Sequence, residues 1–272
     1  MILSSVTVCL VPEARKGPFV YHGDLAAACA ASAALGFDAI EIFAPSGDHV
    51  DPSHLAALLE SHSLRLAAVG TGAGMLLHGH SLSDSSESAR ERACGFVKSI
   101  IDFGAGFGAP AIIGSMQGRS APEFGKRAAL DALASSLREL AGYADSLSQE
   151  LLFEPLNRYE TDLINTLSEG MRLLNEVGAT NLKLLADLFH MNIEESSIAG
   201  SIIDAAGTIG HVHFVDTNRH AAGLGHMAYG EIADALAQSG YSGFASAEAF
   251  PLPSAHEAAT MTIQSYLRFL GG

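Results

Sequence analysis

Short apolar runs alternate with longer Ala- and Leu-rich stretches along the whole chain. Strands that are buried on both faces give continuous apolar runs, and the longer stretches between them have the composition of helices. The pattern therefore predicts repeated strand–helix units and a parallel sheet. The predicted strands lie near SVTVCL, DAIEIF, LRLAAVG, PAIIGS, ELLFE, LKLLAD, GHVHFV and GFASAE.

The predicted helices between these strands include DLAAACAASAALG, SARERACGFVKSIIDFGAGFG and EFGKRAALDALASSLRELAGYADSL. Gly36, Gly108 and Gly178 stand where such helices should end, as helix-stopping glycines do. Eight strand–helix units close into a (β/α)8 TIM barrel more readily than they form an open doubly wound sheet, which is the alternative. The length of 272 residues is typical of such a barrel, so we expect one domain over residues 1–272.

Long loops follow three of the predicted strands, and this is where a barrel places its chemistry. They are rich in Gly, Ser, His and polar residues, and we expect them to cover a site. One of them contains GTGAG, which lacks the GxGxxG spacing of a dinucleotide site and therefore indicates a turn. The three segments are VGTGAGMLLHGHSLSD, GSMQGRSAPE and VDTNRHAAGLGHMAYG.

Composition limits the classes of protein that fit the chain. Hydrophobic residues make up 48% and charged residues 17%, which indicates a large core. The three cysteines are an odd number without a CxxC pair, so no disulfide framework is expected and a reducing cytoplasm is the simplest location.

The N-terminus lacks a basic region before its apolar run, and no stretch approaches 18 uninterrupted apolar residues. Neither secretion nor membrane insertion is expected. The net charge of −15 opposes binding to nucleic acid.

Four segments in the second half each end an apolar run with a residue type that binds metal. These residues are Glu154, Asp187, His213 and Glu248, and their separations are 33, 26 and 35 residues. Each separation is close to the length of one strand–helix unit, so each residue could lie at the same end of a successive strand. The pattern predicts one metal site that these four side chains share.

The four side chains form an oxygen-rich set without thiolates. Such a set suits manganese, magnesium or cobalt. A carboxylate at the end of a buried strand is costly unless it is paired, and a salt bridge is the alternative partner for Glu154 and Glu248. His211 shares a strand face with His213. We expect His213 to be the ligand and His211 to stand behind it, hydrogen-bonded to a ligating carboxylate.

Other polar side chains follow these residues within a few positions, as a polyhydroxylated substrate would require. They include Asn157, Arg158 and Glu160, then His190 and Asn192, then Asn218 and Arg219. Arg158, Asn192 and His220 could equally face solvent.

The stretches FEPLNRYETDLINT, LKLLADLFHMNIEE, GHVHFVDTNR and SAEAF resemble the ketose 3-epimerase group within the xylose-isomerase-like barrel superfamily, which includes D-tagatose and D-psicose 3-epimerases. The similarity is strongest over residues 150–250. The resemblance implies the four metal ligands named above, and it implies that Glu154 and Glu248 also move protons. It further implies that Glu160, His190 and Arg219 bind the sugar.

The expected function is a metal-dependent sugar epimerase or isomerase that exchanges a proton next to a ketose or keto-polyol carbonyl through an enediolate. A ketose 3-epimerase is favoured, and a hydroxypyruvate or other aldose–ketose isomerase is the alternative. Remote alternatives are a phosphodiesterase like AP endonuclease and a non-catalytic sugar-binding barrel. Manganese is the expected metal, with magnesium, cobalt or zinc as alternatives. We expect an unphosphorylated sugar substrate and a homo-oligomer, either dimer or tetramer.

Overall fold

The computed structural model describes residues 1–271 and contains nine strands, all paired in parallel. Eight of these coincide with the predicted strands to within two residues at each end. The additional strand, β2, has only two residues. The bounds are β1 Leu3–Cys9, β2 Tyr21–His22, β3 Ala39–Phe43, β4 Arg65–Gly70, β5 Ala111–Ile113, β6 Leu151–Phe153, β7 Leu182–Asp187, β8 Ile209–His213 and β9 Phe244–Ala247.

The strands form a closed barrel. Each strand from β3 to β8 pairs with the next, β3 also pairs with β1, and β9 pairs with β1, with Leu3 opposite Phe244. Strand β2 lies outside this ring, and its one pairing within residues 1–271 is with the end of β1. The pairing of β1 with β9 leaves no open edge between first and last strand, so the open doubly wound alternative is wrong and the predicted barrel is confirmed.

The described residues form ten α-helices, nine between strands and the tenth after β9. Helix α1 begins after Asp24, whose carboxylate accepts from the Ala27 N–H, and it ends at Gly36 in the left-handed region. The helix predicted to run to Gly108 ends at Ala105 instead. The bounds are α1 Leu25–Leu35, α2 Pro52–His62, α3 Ala73–His78, α4 Glu87–Ala105, α5 Lys126–Ser146, α6 Leu167–Val177, α7 Leu188–Glu194, α8 Ile198–Asp204, α9 Tyr229–Gln238 and α10 Ala255–Phe269.

The barrel interior is divided between apolar and polar side chains. Ala68, Ile112, Leu152 and Leu185 come from β4 to β7 and pack together as one buried cluster. Strands β3 and β8 instead bury charged or titratable residues. Of the three long loops, the first contains α3 and the second a short 3-10 turn. None of the helices in the described chain is long and apolar enough to cross a membrane.

Candidate metal centre and active site

Four side chains from four consecutive strands meet at the carboxyl end of the barrel. Asp187 and His213 are the last residues of β7 and β8, while Glu154 and Glu248 directly follow β6 and β9. One ligand atom from each lies within 4.8 Å of the others. The sequence spacing therefore placed all four side chains correctly, because parallel strands in a barrel end on the same side.

His213 lies at the centre of this cluster. Its Nδ1 is 3.0 Å from Asp187 Oδ2, 3.4 Å from Glu248 Oε2 and 3.5 Å from Glu154 Oε1. Asp187 and His213 are fully buried, and Glu248 is the most accessible of the four. A single ion between these atoms would contact one nitrogen and three carboxylates.

The cluster has the features of a cation site. Glu154 Oε1 is buried and has no hydrogen-bond partner among residues 1–271. The one guanidinium at the cluster, that of Arg219, pairs with Asp187 and Glu248 and leaves Glu154 without such a partner in the described chain. Because an uncompensated buried carboxylate costs several kcal/mol, a divalent ion would relieve the least favourable feature of this site. Oxygen-rich ligands of this kind suit manganese, magnesium or cobalt.

The charges in the cluster shift its pKa values in opposite directions. Burial raises the pKa of Glu154, and the charge of the nearby His213 ring opposes this rise only in part. Burial also acts on Asp187, but the Arg219 charge and the nearby histidines outweigh it and hold the pKa of Asp187 well below its usual value. For His213, burial is outweighed by the charges of Glu41 and Glu248, so its pKa is raised well above its usual value. These directions describe the cluster without a metal ion.

Arg219 is buried at the edge of the cluster. Its guanidinium donates to Asp187 Oδ2 at 2.5 Å and to Glu248 Oε2, and it stacks over the Phe189 ring at 4.9 Å from the centroid. Arg219 has a φ of 61°, which is uncommon for a residue other than glycine. The loop backbone is thus held in an unfavourable conformation that directs this side chain into the cavity.

His190 faces the cluster from the first turn of α7. The backbone N–H of Asn157 donates to His190 Nδ1 at 3.2 Å, so the ring proton is on Nε2. That Nε2 lies 3.8 Å from Glu154 Oε1 and 3.9 Å from Asp187 Oδ2. Glu160 is half exposed at the mouth of the cavity and accepts from the Asn157 side chain at 2.9 Å. All three residues that the resemblance assigns to sugar binding therefore line one cavity.

Within residues 1–271, His211 forms no hydrogen bond with the three carboxylates of the cluster. Its Nε2 lies 2.8 Å from Oε2 of Glu41, a buried residue in the middle of β3. The expected partner was wrong because His211 precedes His213 by two residues, which places it about 6–7 Å deeper along the strand. Sequence reasoning missed Glu41, although an acidic residue inside the apolar run DAIEIF was a signal that it needed a buried partner.

Other polar residues proposed from sequence lie apart from the cluster. Arg158 forms an exposed ion pair with Glu194, with Nη2 and Oε2 2.9 Å apart. In the first of the three long loops, His78 and His80 pack against each other and against Phe96.

The cluster forms the floor of a cavity of about 600 Å³. Its walls are largely apolar. The rings of Phe19 and Phe43 belong to them and stack with their centroids 4.7 Å apart. Glu13 and Glu160 stand among its lining residues. The volume lies within the range usual for pockets that enclose a small molecule.

The sequence matches the family described as the xylose isomerase-like TIM barrel over residues 29–266. The chain belongs to this family. A D-psicose 3-epimerase of Ruminiclostridium cellulolyticum is 32% identical over 227 residues, which cover 80% of this chain and 75% of that protein. This member of the xylose isomerase-like family is therefore also related to ketose 3-epimerases, as the residue motifs predicted.

One further relative and one solved structure agree with this result. A D-psicose 3-epimerase of Agrobacterium fabrum is 40% identical over 111 residues, which cover 41% of this chain and 38% of that protein. The solved structure of the D-psicose 3-epimerase from Clostridium cellulolyticum with D-tagatose superposes with a TM-score of 0.77 at 26% identity, covering 100% of this chain and 92% of that one. The homologues are thus isomerase-class enzymes that act on carbohydrates.

Proposed function

We propose that this protein is a divalent-metal-dependent ketose 3-epimerase. The observation that carries the proposal is the convergence of Glu154, Asp187, His213 and Glu248 on one point, with Glu154 Oε1 left without a partner in the described chain. The relatedness to D-psicose 3-epimerases supports the reaction class. We assign one ion per chain to these four side chains, with manganese as the expected metal and magnesium, cobalt or zinc as alternatives.

A bound divalent ion would supply Lewis acidity that stabilises negative charge on the oxygens of an enediolate. The protein itself provides two carboxylates that can move a proton. Glu154 and Glu248 follow strands β6 and β9, which are separated by two other strands, so they approach the cavity from different directions. We assign one glutamate to remove the proton at carbon 3 from one face and the other to return a proton to the opposite face. This transfer inverts the centre.

Two cationic or donor side chains would orient the sugar between these glutamates. His190 presents its Nε2–H toward the cluster, because Asn157 occupies its Nδ1. Arg219 extends beside Glu248 and holds that carboxylate in place. Glu160 would accept from a hydroxyl at the mouth of the cavity. Fixed donors and acceptors of this kind keep one face of the substrate toward each glutamate.

Proton exchange in deuterated water tests the proposal directly. D-psicose and D-tagatose are incubated with protein and Mn²⁺, the reaction is quenched with chelator, and deuterium is located by NMR. We expect deuterium at carbon 3 together with the 3-epimer, loss of exchange after chelation, and recovery with Mn²⁺. An aldose product with deuterium at carbon 2, or recovered ketose with deuterium at carbon 1, would instead identify an aldose–ketose isomerase. Full activity after complete metal removal would contradict the proposal.

A further inference from the structure

A second group of buried side chains lies beneath the metal cluster. Glu41 on β3 and His211 on β8 are at most 4% exposed and are 170 residues apart in sequence. Each carboxylate oxygen of Glu41 faces one imidazole: Oε2 lies 2.8 Å from His211 Nε2, and Oε1 lies 3.2 Å from His213 Nε2. Glu41 therefore bridges a histidine inside the barrel and the histidine at the centre of the cluster.

The two nitrogens of His213 face different groups. Nδ1 points to the three cluster carboxylates, and Nε2 points to Glu41. A histidine binds a metal through a nitrogen lone pair, so an ion held with these carboxylates would require Nδ1 to be unprotonated and Nε2 to carry the proton. Glu41 Oε1 lies where it can accept a hydrogen bond from the N–H of His213 Nε2. A carboxylate there favours the tautomer that can bind metal and keeps the ring facing the cluster.

His211 in turn holds Glu41. Without the 2.8 Å hydrogen bond from His211 Nε2, one oxygen of a buried carboxylate would lose its partner, and the side chain could rotate away from His213. Glu41 is only 4% exposed, so solvent would compensate little for the loss of this partner.

We propose that Glu41 and His211 are positioning residues for the metal centre: Glu41 sets the tautomer and orientation of His213, and His211 holds Glu41 in place. The inference rests on the proposed metal binding at the four-residue cluster. Glu41, His211 and His213 also satisfy the distances for an ion of their own, which makes a second metal site the competing interpretation.

The first test measures Mn²⁺ binding to metal-free protein by isothermal titration calorimetry. Glu41→Leu removes both acceptors, Glu41→Gln retains one, and His211→Gln removes the support of Glu41. Ser5→Ala is the matched control, since Ser5 is fully buried on the neighbouring strand β1 and its hydroxyl has no partner within the described residues. We expect Mn²⁺ affinity to fall about 10–100-fold in Glu41→Leu and less in the other two variants, with no change in the control. Thermal unfolding of the metal-free proteins checks that each variant is folded.

The second test observes the His213 ring by nitrogen-15 NMR in the Mg²⁺-loaded protein. We expect the proton on Nε2 in the wild type and a mixture of ring states in Glu41→Gln. If Glu41→Leu does not fold, the Mn²⁺ affinities of Glu41→Gln and His211→Gln test the inference.

Affinities within about threefold of wild type in folded variants, or a wild-type proton on Nδ1, would overturn the inference while leaving the proposed function intact. Two ions per wild-type chain would favour the second site and overturn it too. A wild type that binds no divalent ion would overturn both.

Discussion

Asp187 shows how one side chain serves both the fold and the candidate site. Its Oδ1 accepts from the backbone N–H groups of Phe189 and His190 at 2.8 and 3.2 Å, which caps the N-terminus of α7. Its Oδ2 faces His213 and Arg219. Substitution of Asp187 would therefore change helix stability and site chemistry together, whereas the two glutamates allow cleaner tests.

We expect Glu154→Gln and Glu248→Gln each to reduce proton exchange by about 10²–10⁴-fold, because an amide cannot act as a general base. The protein should stay folded, since the two side chains keep their size. Glu139→Gln, which changes an exposed partner of Lys98, is the control and should exchange normally. The metal content of each variant is measured alongside deuterium incorporation, and near-normal exchange in either variant would remove that glutamate from the mechanism.

Replacing Arg219 with Ala should raise KM and lower kcat for the best ketose. The guanidinium contacts Asp187 and Glu248, so its loss removes a fixed donor and frees the Glu248 carboxylate. Arg158→Ala is the matched control, because Arg158 pairs with Glu194 away from the cluster. Steady-state kinetics of both variants measure KM and kcat. Equal values for Arg219→Ala and wild type would show that Arg219 does not position substrate.

Among the secondary-structure elements, β5 ends beside Glu154 without contributing a charge to the site. A Cβ on Gly114 would lie 2.3 Å from Glu154 Oε2. The carboxylate is the movable end of a side chain, so we expect Gly114→Ala to displace it and weaken Mn²⁺ affinity and exchange by about tenfold or more. The change in the free energy of unfolding should stay near about 1 kcal/mol.

Gly95→Ala is the control for this substitution. Gly95 lies inside α4, and a Cβ there meets no atom within 4 Å in the described chain. The variant should keep Mn²⁺ affinity and gain about 0.5–1 kcal/mol of stability, since alanine is the better helix former. Urea unfolding and metal titration of both variants give the comparison, and unchanged Mn²⁺ affinity in Gly114→Ala would show that Glu154 tolerates the displacement.

The loop after β8 is organised by Asp216, whose side chain is fully buried. Its carboxylate accepts from the backbone N–H groups of Thr217 and Gly223, both at 2.8 Å, and of Met227 at 3.2 Å. Burial acts to raise the pKa of Asp216, but these N–H groups outweigh it and lower the pKa. The same loop carries Arg219, so Asp216 shapes the site indirectly.

A lowered pKa in the folded state means that the Asp216 charge stabilises the protein above the unfolded-state pKa of about 3.9. This contribution is lost as the pH falls through the folded-state pKa. Asp216→Asn should therefore be less stable than wild type by about 1–3 kcal/mol at pH 7, and the difference should shrink below about pH 4. Urea unfolding from pH 7 to pH 3 measures it. A difference that stays constant over this range would show that the charge contributes nothing.

For the molecule as a whole, the charge of the cavity determines which substrates fit. Five glutamates line it, whereas Arg219 is its one Arg or Lys within residues 1–271, and Arg219 is already engaged by two carboxylates. Helix α3, which begins inside the GTGAG segment, has only six residues. A dianionic phosphate would thus meet like charges without an Arg or Lys cluster to bind it.

We expect kcat/KM for a free ketose to exceed that of its phosphate ester by on the order of 100-fold, because uncompensated like charges cost several kcal/mol. Parallel kinetics with both compounds measure the ratio. The chain's net charge of −15 acts in the same direction at long range, so raising the ionic strength should narrow the ratio. A preference for the ester would indicate a phosphate site that the charges of the cavity do not reveal.

Local sequence pattern was sufficient for the strands and for the four cluster residues. A strand that is buried on both faces is apolar over consecutive residues, so LKLLAD and its counterparts are visible without tertiary information. Parallel strands in a barrel end on one side, so ligand-type residues at the spacing of one unit must converge. That reasoning needs no knowledge of which strand neighbours which.

Pairings between distant residues depended on barrel closure. Strand β8 lies across the interior from β3, which brings His211 to Glu41 over 170 residues, and no periodicity in the sequence records such a contact. The same holds for Arg219, whose position between Asp187 and Glu248 follows from a loop held in an uncommon backbone conformation. Because these polar side chains are buried, each of them needs a hydrogen-bonding partner. Only the tertiary structure determines which residue that partner is.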